Sequence, residues 1–511
     1  MATDEILVSE IIVVAFLALP LFRSFVKSLR AQDGLDWLPF VALGIMVGIF
    51  PAYGFRPECL PMLAVALFIA ATVWLFRPKD TFRRRSSLLA MLSLTLLVAA
   101  TVPMFAFSPR VGPREAPDSV RKLRTDAPGR RYNLLIYEAA QTDTPPEAAK
   151  PLIFLVPPEL GSAASVDLVC RELLEQGFTV VTYFRRDTGR ATVKGSGLKD
   201  SASPFAMLRH WQMYKKAADL YAVNEKGRAL ELARRSDIEH LLPILPALLN
   251  RRGDPLPLVL AGYGAGGSAL AYMAGENRLG FLYGNALGVV AVEGRLWSSY
   301  REEDRLPPEI PAAAGKIRYQ WHLLTSRLQS KKPRRVVRGG AALPGTGLPI
   351  MYLVSGGALD AQQGQKPYEA VFDAFRGGIG PAVLAAVKSF GPLDYQDYPL
   401  THPLYSFLVP GPKDEQAAES PVSDTAAIIG NYAVFLLERA REAEQERQAE
   451  IERVTASIIS AIDSWENGEP PPEAEPVVET PPAGNEVSIP PRHPIGGNLY
   501  LESKGLPGFK L

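Results

Sequence analysis

Cysteine is nearly absent. Cys59 and Cys170 are the only two in 511 residues, and neither belongs to a metal-type spacing, so there is no disulfide framework or zinc site to read. The two cysteines leave the redox compartment open. Histidine is also scarce: His210, His240, His322 and His493 are scattered without ligand spacing, and the fifth, His402, is considered below. An excess of one charge is missing as well. With 55 basic and 54 acidic residues the chain offers no basic surface to neutralise phosphates, so no nucleic-acid partner is expected. No motif implies a cofactor. The N-terminus carries Asp4 and Glu5 where a cleaved signal peptide has basic residues, and further apolar segments follow, so cleavage is not expected.

Long apolar runs are present, and they crowd the first hundred residues. Four can be marked, at roughly 6–25, 37–55, 60–76 and 88–107. Each approaches the ~20 residues that a helix needs to cross a hydrocarbon core. The second and third share a Pro/Gly-containing turn from Pro51 to Pro61, which suits a tight helical hairpin. The expectation is a four-helix transmembrane region over 1–109. Its first connection holds Arg23, Lys27 and Arg30, and its third holds Arg77, Lys79, Arg83, Arg84 and Arg85; the second has only Arg56. By the positive-inside rule the first and third connections face the cytoplasm. The chain is then a multi-pass protein of the cytoplasmic membrane, with everything after Phe107 extracytoplasmic.

Residues 115–439 alternate strand and helix patterns. Strands are expected at 132–138, 151–156, 178–184, 258–261, 287–292 and 350–354. Helices are expected from Ser165 to Gln176, ending at Gly177, and near Tyr368 to Phe375. Ser236 reads as the N-cap of another running to Asn250, with Asp237 and Glu239 in its first turn. This rhythm predicts an α/β domain with a mostly parallel sheet covered by helices on both faces. Intervals 187–235 and 293–348 break the rhythm and read as insertions above the C-terminal edge of the sheet. Thr425 to Leu437 reads as the closing helix, continued by a charged helix over 440–466 that is a solvated face or a coiled-coil partner. The Pro/Glu-rich stretch 467–511 reads as a disordered tail whose Leu499, Tyr500 and Phe509 suit a docking motif.

One stretch organises the domain. The apolar run Leu258-Val259-Leu260-Ala261 leads into Gly262-Tyr263-Gly264-Ala265-Gly266-Gly267, and a helix-like segment follows. Strand, sharp turn and helix is the setting of a nucleophile elbow, G-x-S-x-G. Here the nucleophile position holds Gly264. Ser268 is a candidate substitute nucleophile, but it lies about one helical turn past the elbow and would point elsewhere.

On these residues the region from about Arg131 to Arg439 resembles the α/β-hydrolase superfamily in its dienelactone-hydrolase and esterase branch. Gly262 to Gly266 resembles the elbow. Gly357-Ala358-Leu359-Asp360 resembles the loop that presents the family's acid, and Thr401-His402-Pro403 the loop that presents its histidine. The order elbow, acid, histidine is that family's order. The resemblance implies that Asp360 orients His402, and that Ala265 and Gly161 supply the oxyanion N–H groups. Glycine offers no oxygen for a covalent intermediate. The turn Val156-Pro157-Pro158-Glu159-Leu160-Gly161 contains two prolines, each without an N–H, where the family often has His-Gly.

Each of these residues also has a structural reading: Gly264 as relief of a strained turn, Asp360 as a loop or cap aspartate, His402 as a hydrogen-bonded histidine among tyrosines. The expectation is a membrane-anchored, catalytically inactive hydrolase-fold protein that binds a small-molecule or lipid-derived ligand or an envelope protein. The alternative is an active ester- or lipid-directed hydrolase in which His402 and Asp360 activate water or another nucleophile. A third reading, a structural scaffold, rests on the charged helix and the tail.

Overall fold

In the computed structural model of the chain, the residues described are 2–26, 29, 32–53, 57–75, 83–107, 120–127, 130–139, 150–158, 166–185, 191–194, 197–200, 225–249, 256–296, 298, 300–303, 335–338, 347–356, 366–377, 380–387, 390, 395, 421–466, 499–504 and 506. The apolar N-terminal runs form four helices: α1 (Ala2–Phe22), α2 (Leu38–Tyr53), α3 (Leu60–Leu75) and α4 (Arg83–Ala106). Sequence neighbours pack side by side and α4 closes back onto α1, giving an up-down bundle. Val13, Leu17, Met46, Met62, Ile69 and Leu97 fill its interior. Its outer surface is also apolar: Val8, Val47, Leu67, Leu88, Val98 and Val102 are all more than half exposed.

The expected spans are not equal. Leu88–Ala106 within α4 is the one described helix long and apolar enough to cross a membrane. Helices α2 and α3 have 16 residues each, about 24 Å at 1.5 Å per residue, against a hydrocarbon core of about 30 Å. In α1, Asp4 and Glu5 precede an apolar stretch of only Leu7–Phe22, which itself contains Glu10.

The second unit is built on a nine-stranded sheet in the order β1-β2-β4-β3-β7-β8-β11-β12-β13. Strands β4 (Val180–Arg185), β3 (Leu152–Val156), β7 (Leu258–Tyr263), β8 (Ala286–Val292), β11 (Ile350–Leu353) and β12 (Ala382–Val387) run parallel. β1 (Val120–Ala127) and β2 (Arg130–Tyr137) form an antiparallel hairpin at one edge, and β13 (Leu499–Lys504) lies antiparallel at the other. The central strands are apolar on both faces because both faces are covered. On one side lie α6 (Glu225–Leu241), α8 (Ala265–Gly275) and α10 (Lys366–Gly377), through Ile238, Leu270, Met273 and Phe375. On the other lie α5 (Asp167–Glu175) and the first half of α11 (Pro421–Glu466), through Val169, Leu173, Ile429, Tyr432 and Leu436. The helix α5 ends at Gly177, as expected. With φ at +85°, Phe178 N–H donates to Leu173 O and Gly177 N–H to Leu174 O.

Several expectations need correcting. Ser236 lies inside α6 rather than at its start. Ala229 to Ala233 are strong helix formers that carry the helix back to Glu225, and Pro243 stops it near Leu241; only the short α7 (Leu245–Leu248) continues toward Asn250. The interval 187–235 therefore loses its last residues to α6, but it does contain a hairpin, β5 (Ala191–Lys194) with β6 (Gly197–Asp200). The interval 293–348 holds another, β9 (Tyr300–Glu303) with β10 (Arg335–Arg338). The tail is not wholly irregular. Leu499 and Leu501 pack on one face of the sheet and Tyr500 on the other, so β13 is tied down by alternating side chains.

Candidate functional site

β7 is the central strand and delivers Gly264 to the C-terminal edge of the sheet, where ligands bind in open α/β folds. Gly264 stands at φ +51° and ψ −116°, immediately before α8. Residues with a Cβ rarely take this backbone conformation. Its N–H donates to Val292 O at 2.8 Å, and its carbonyl accepts from Ser268 N–H at 3.0 Å. The neighbouring glycines permit close packing. A Cβ on Gly266 would stand 2.6 Å from Val156 Cγ1, and one on Gly262 would stand 2.7 Å from the Gly266 carbonyl carbon. The glycine spacing that marks the elbow therefore serves two purposes: positive φ at Gly264, and contact between α8, β3 and β7 on either side.

Of the residues expected at the site, Gly264 and Ala265 are brought to this edge, Ala265 as the first residue of α8 and fully buried. Gly161, Asp360 and His402 lie outside the described residues. Ser268 is settled by its partner. It is buried, and its Oγ accepts from Leu296 N–H at 2.9 Å, a structural tie between α8 and the segment after β8.

Two groups of charged residues at this edge were not singled out from the sequence. Glu293, one residue beyond the elbow's partner Val292, has φ +52° and is buried. Its N–H donates to Leu353 O at 2.8 Å, its Oε1 accepts from Ser355 N–H, and its Oε2 stands 3.7 Å from Arg295. A carboxylate thus joins the ends of β8 and β11 beside the elbow. The second group secures the proline turn after β3. Arg234 of α6 donates to Pro158 O at 2.5 Å and pairs with Asp237 at 3.4 Å. Asp237 also accepts from Tyr132 at 2.9 Å and Tyr183 at 3.4 Å. Burial pushes the Tyr183 hydroxyl pKa well above its ordinary value, so it remains a donor. One turn earlier, Glu231 is fully buried against Ser298 and Arg235, and burial raises its carboxyl pKa. The charge directly after the apolar strand in Val292-Glu293 was a usable signal for the first group. Arg234 and Asp237 resembled any exposed helical pair.

With this geometry in view, the chain can be set beside known proteins. Residues 4–106 match a family model, TP_0976_N, described as an N-terminal domain. No curated protein matches the chain. Among solved structures, a ferulic acid esterase from Streptomyces cinnamoneus is similar at 13% identity, over 63% of this chain and 91% of its own, with a TM-score of 0.35. A dienelactone hydrolase from Anabaena variabilis is similar at 11% identity, over 61% and 96%, with a TM-score of 0.32. At such scores the fold reading rests on the strand order and the turn at Gly264. The second unit is α/β-hydrolase-like.

At residue 264 the edge has no side chain with which to attack. The turn holds its strained geometry and presents no hydroxyl. The adjoining β3 turn has lost two N–H groups to Pro157 and Pro158, and its Pro158 carbonyl is taken by Arg234.

Proposed function

We propose that the chain is a membrane-anchored α/β-hydrolase-fold protein that has given up acyl transfer and uses the cleft at the sheet's C-terminal edge to bind a ligand or a partner. One observation carries this reading: the elbow backbone is kept at Gly264 while its nucleophile is not. Losing both the nucleophile and donors of the oxyanion turn removes the covalent step together with what is often the largest stabilising term.

Anchoring is supported by a bundle that is apolar inside and out, and by α4 in particular. Trp37 and Trp74 are 59% and 67% exposed and flank Phe40 at one end of the bundle. Arg23 pairs there with Asp36 at 2.6 Å. Aromatic residues beside basic connections are the pattern of a cytoplasmic membrane interface. On this reading the hydrolase-like unit lies outside the cytoplasm.

The test is ester hydrolysis and active-site labelling by the purified full chain, as wild type and as Gly264→Ser. A chain truncated near residue 465 is unsuitable, because it lacks the β13 strand of the sheet. The reading expects the wild type to be silent toward short-chain esters and fluorophosphonate probes. Turnover by the wild type that is lost in His402→Ala overturns it in favour of water activation by His402. Turnover in Gly264→Ser alone would mean that only the nucleophile has gone.

A further inference from the structure

The long helix α11 divides into two halves with different environments. From Val422 to Leu437 it is packed into the domain core. From Arg441 through Ser460 every residue is exposed, so the helix continues with no tertiary cover among the described residues. At 1.5 Å per residue, Arg441 to Glu466 extends about 40 Å past the packed half. In proteins most helical stability comes from packing an apolar face rather than from propensity, and this arm packs no face against the described residues. The ion pairs on this arm, Glu444–Arg447 at 3.8 Å and Glu450–Arg453 at 3.6 Å, are highly exposed and weak.

The arm nevertheless has an apolar face. Ile451, Val454, Ile458, Ala461 and Trp465 recur at alternating steps of three, four, three and four, the a/d repeat of a coiled coil. Ile451 and Val454 are each 48% exposed and Ile458 is 54% exposed. Ile451 and Ile458 occupy a positions, with Val454 and Ala461 at d, so apolar side chains fill both positions of the repeat. In a parallel pair in register, the flanking g-to-e′ contacts join Glu450 to Thr455 and Ser457 to Ile462, so no like charges meet across the apolar seam. An anionic bilayer is a poor occupant of the face. Between Arg441 and Glu466 the acidic residues Glu442, Glu444, Glu446, Glu450, Glu452, Asp463 and Glu466 outnumber the basic Arg441, Arg447 and Arg453.

We propose that this arm is a dimerisation element, and that its Ile451–Trp465 seam pairs with the same seam of a second copy of the chain. The inference is independent of what the cleft binds.

The test is the mass of the full chain in detergent by light scattering at several protein concentrations. Wild type and the conservative variant Ile451→Leu/Ile458→Leu are expected at twice the protomer mass of 55.7 kDa. Ile451→Glu/Ile458→Glu is expected at half the wild-type mass, with an unchanged thermal midpoint, since the arm stands clear of the described part of the domain. A wild type that stays monomeric to its solubility limit overturns the proposal, and so does a wild-type mass that survives the glutamate substitutions. If the wild-type monomer instead floats with acidic phospholipid vesicles through this arm, the occupant is the bilayer and the proposal fails.

Discussion

The backbone N–H of Gly264 donates to the carbonyl of Val292 at 2.8 Å, which ties the elbow at the tip of β7 to the end of β8. The next residue, Glu293, uses its own N–H and carboxylate to tie β8 to β11. The strained turn is therefore held by a ladder across three adjacent strands. That ladder forms with glycine, and no hydroxyl, at its centre.

The contact between Gly266 and Val156 should be sterically coupled. A Cβ on Gly266 meets Val156 Cγ1 at 2.6 Å, so Gly266→Ala should destabilise the domain by ~1–3 kcal/mol through overpacking. Val156→Ala removes that methyl group, and the double variant should be less destabilised than the sum of the two singles. Denaturant unfolding of the four proteins measures the coupling. Strict additivity would show that α8 can shift away from β3.

Asp237 should matter more than an exposed helical ion pair. It is fully buried, and its removal strands the guanidinium of Arg234 inside the protein. Asp237→Ala is expected to cost about 3–5 kcal/mol, and Asp237→Asn less, since the amide oxygen can still accept from Tyr132. Equilibrium unfolding checks the ranking, and equal losses would assign the effect to the lost charge rather than to hydrogen bonding.

Glu231 should give stability a dependence on pH. Burial raises its carboxyl pKa in the folded state, opposed by Ser298 and Arg235. Between the ordinary carboxylate range and the raised value, the folded protein binds more protons than the unfolded chain. Its contribution is thus fully present below that window and is lost as pH rises through the folded value. Glu231→Gln cannot titrate, so the wild type should lose stability relative to this variant across that window. Denaturant midpoints at a series of acidic to neutral pH values test it, and parallel profiles would remove Glu231 from the account.

The edge strand β13 should protect β12. Truncation after Glu466 removes Leu499–Lys504 and exposes the backbone edge of the apolar strand Ala382–Val387. Exposed apolar edges template aggregation. A lower thermal midpoint and concentration-dependent aggregation are expected in scattering-monitored melts. An unchanged, monodisperse protein would mean that β13 adds nothing to the sheet.

The parts of the fold legible in the sequence were those with strong local signals. Runs such as Leu152 to Val156 and Leu258 to Ala261 are apolar throughout, and the four N-terminal helices are apolar over several turns. The strand β12 is apolar throughout but half alanine, which marks a strand poorly, and the charged strand β1 carries no apolar run. β13 was hidden for another reason. Its strand character depends on pairing with β12, more than a hundred residues earlier in the chain. At the site, glycine spacing located the elbow, and the burial of Arg234, Asp237 and Glu293 was not readable, because a charged residue looks the same in sequence whether it meets water or a partner.

The sequence by itself determined the alternation that makes an α/β sheet, the strand-turn-helix at Gly264 and the absence of a hydroxyl there. These follow from local covalent properties: side-chain shape, the freedom of glycine and the missing N–H of proline. Only the tertiary structure decided that Gly264 keeps the strained backbone, that the proline turn is fixed by a buried arginine, and that the last strand comes from the tail. Each of those depends on groups distant in sequence occupying one volume, where burial sets the cost of an unmet charge or hydrogen bond.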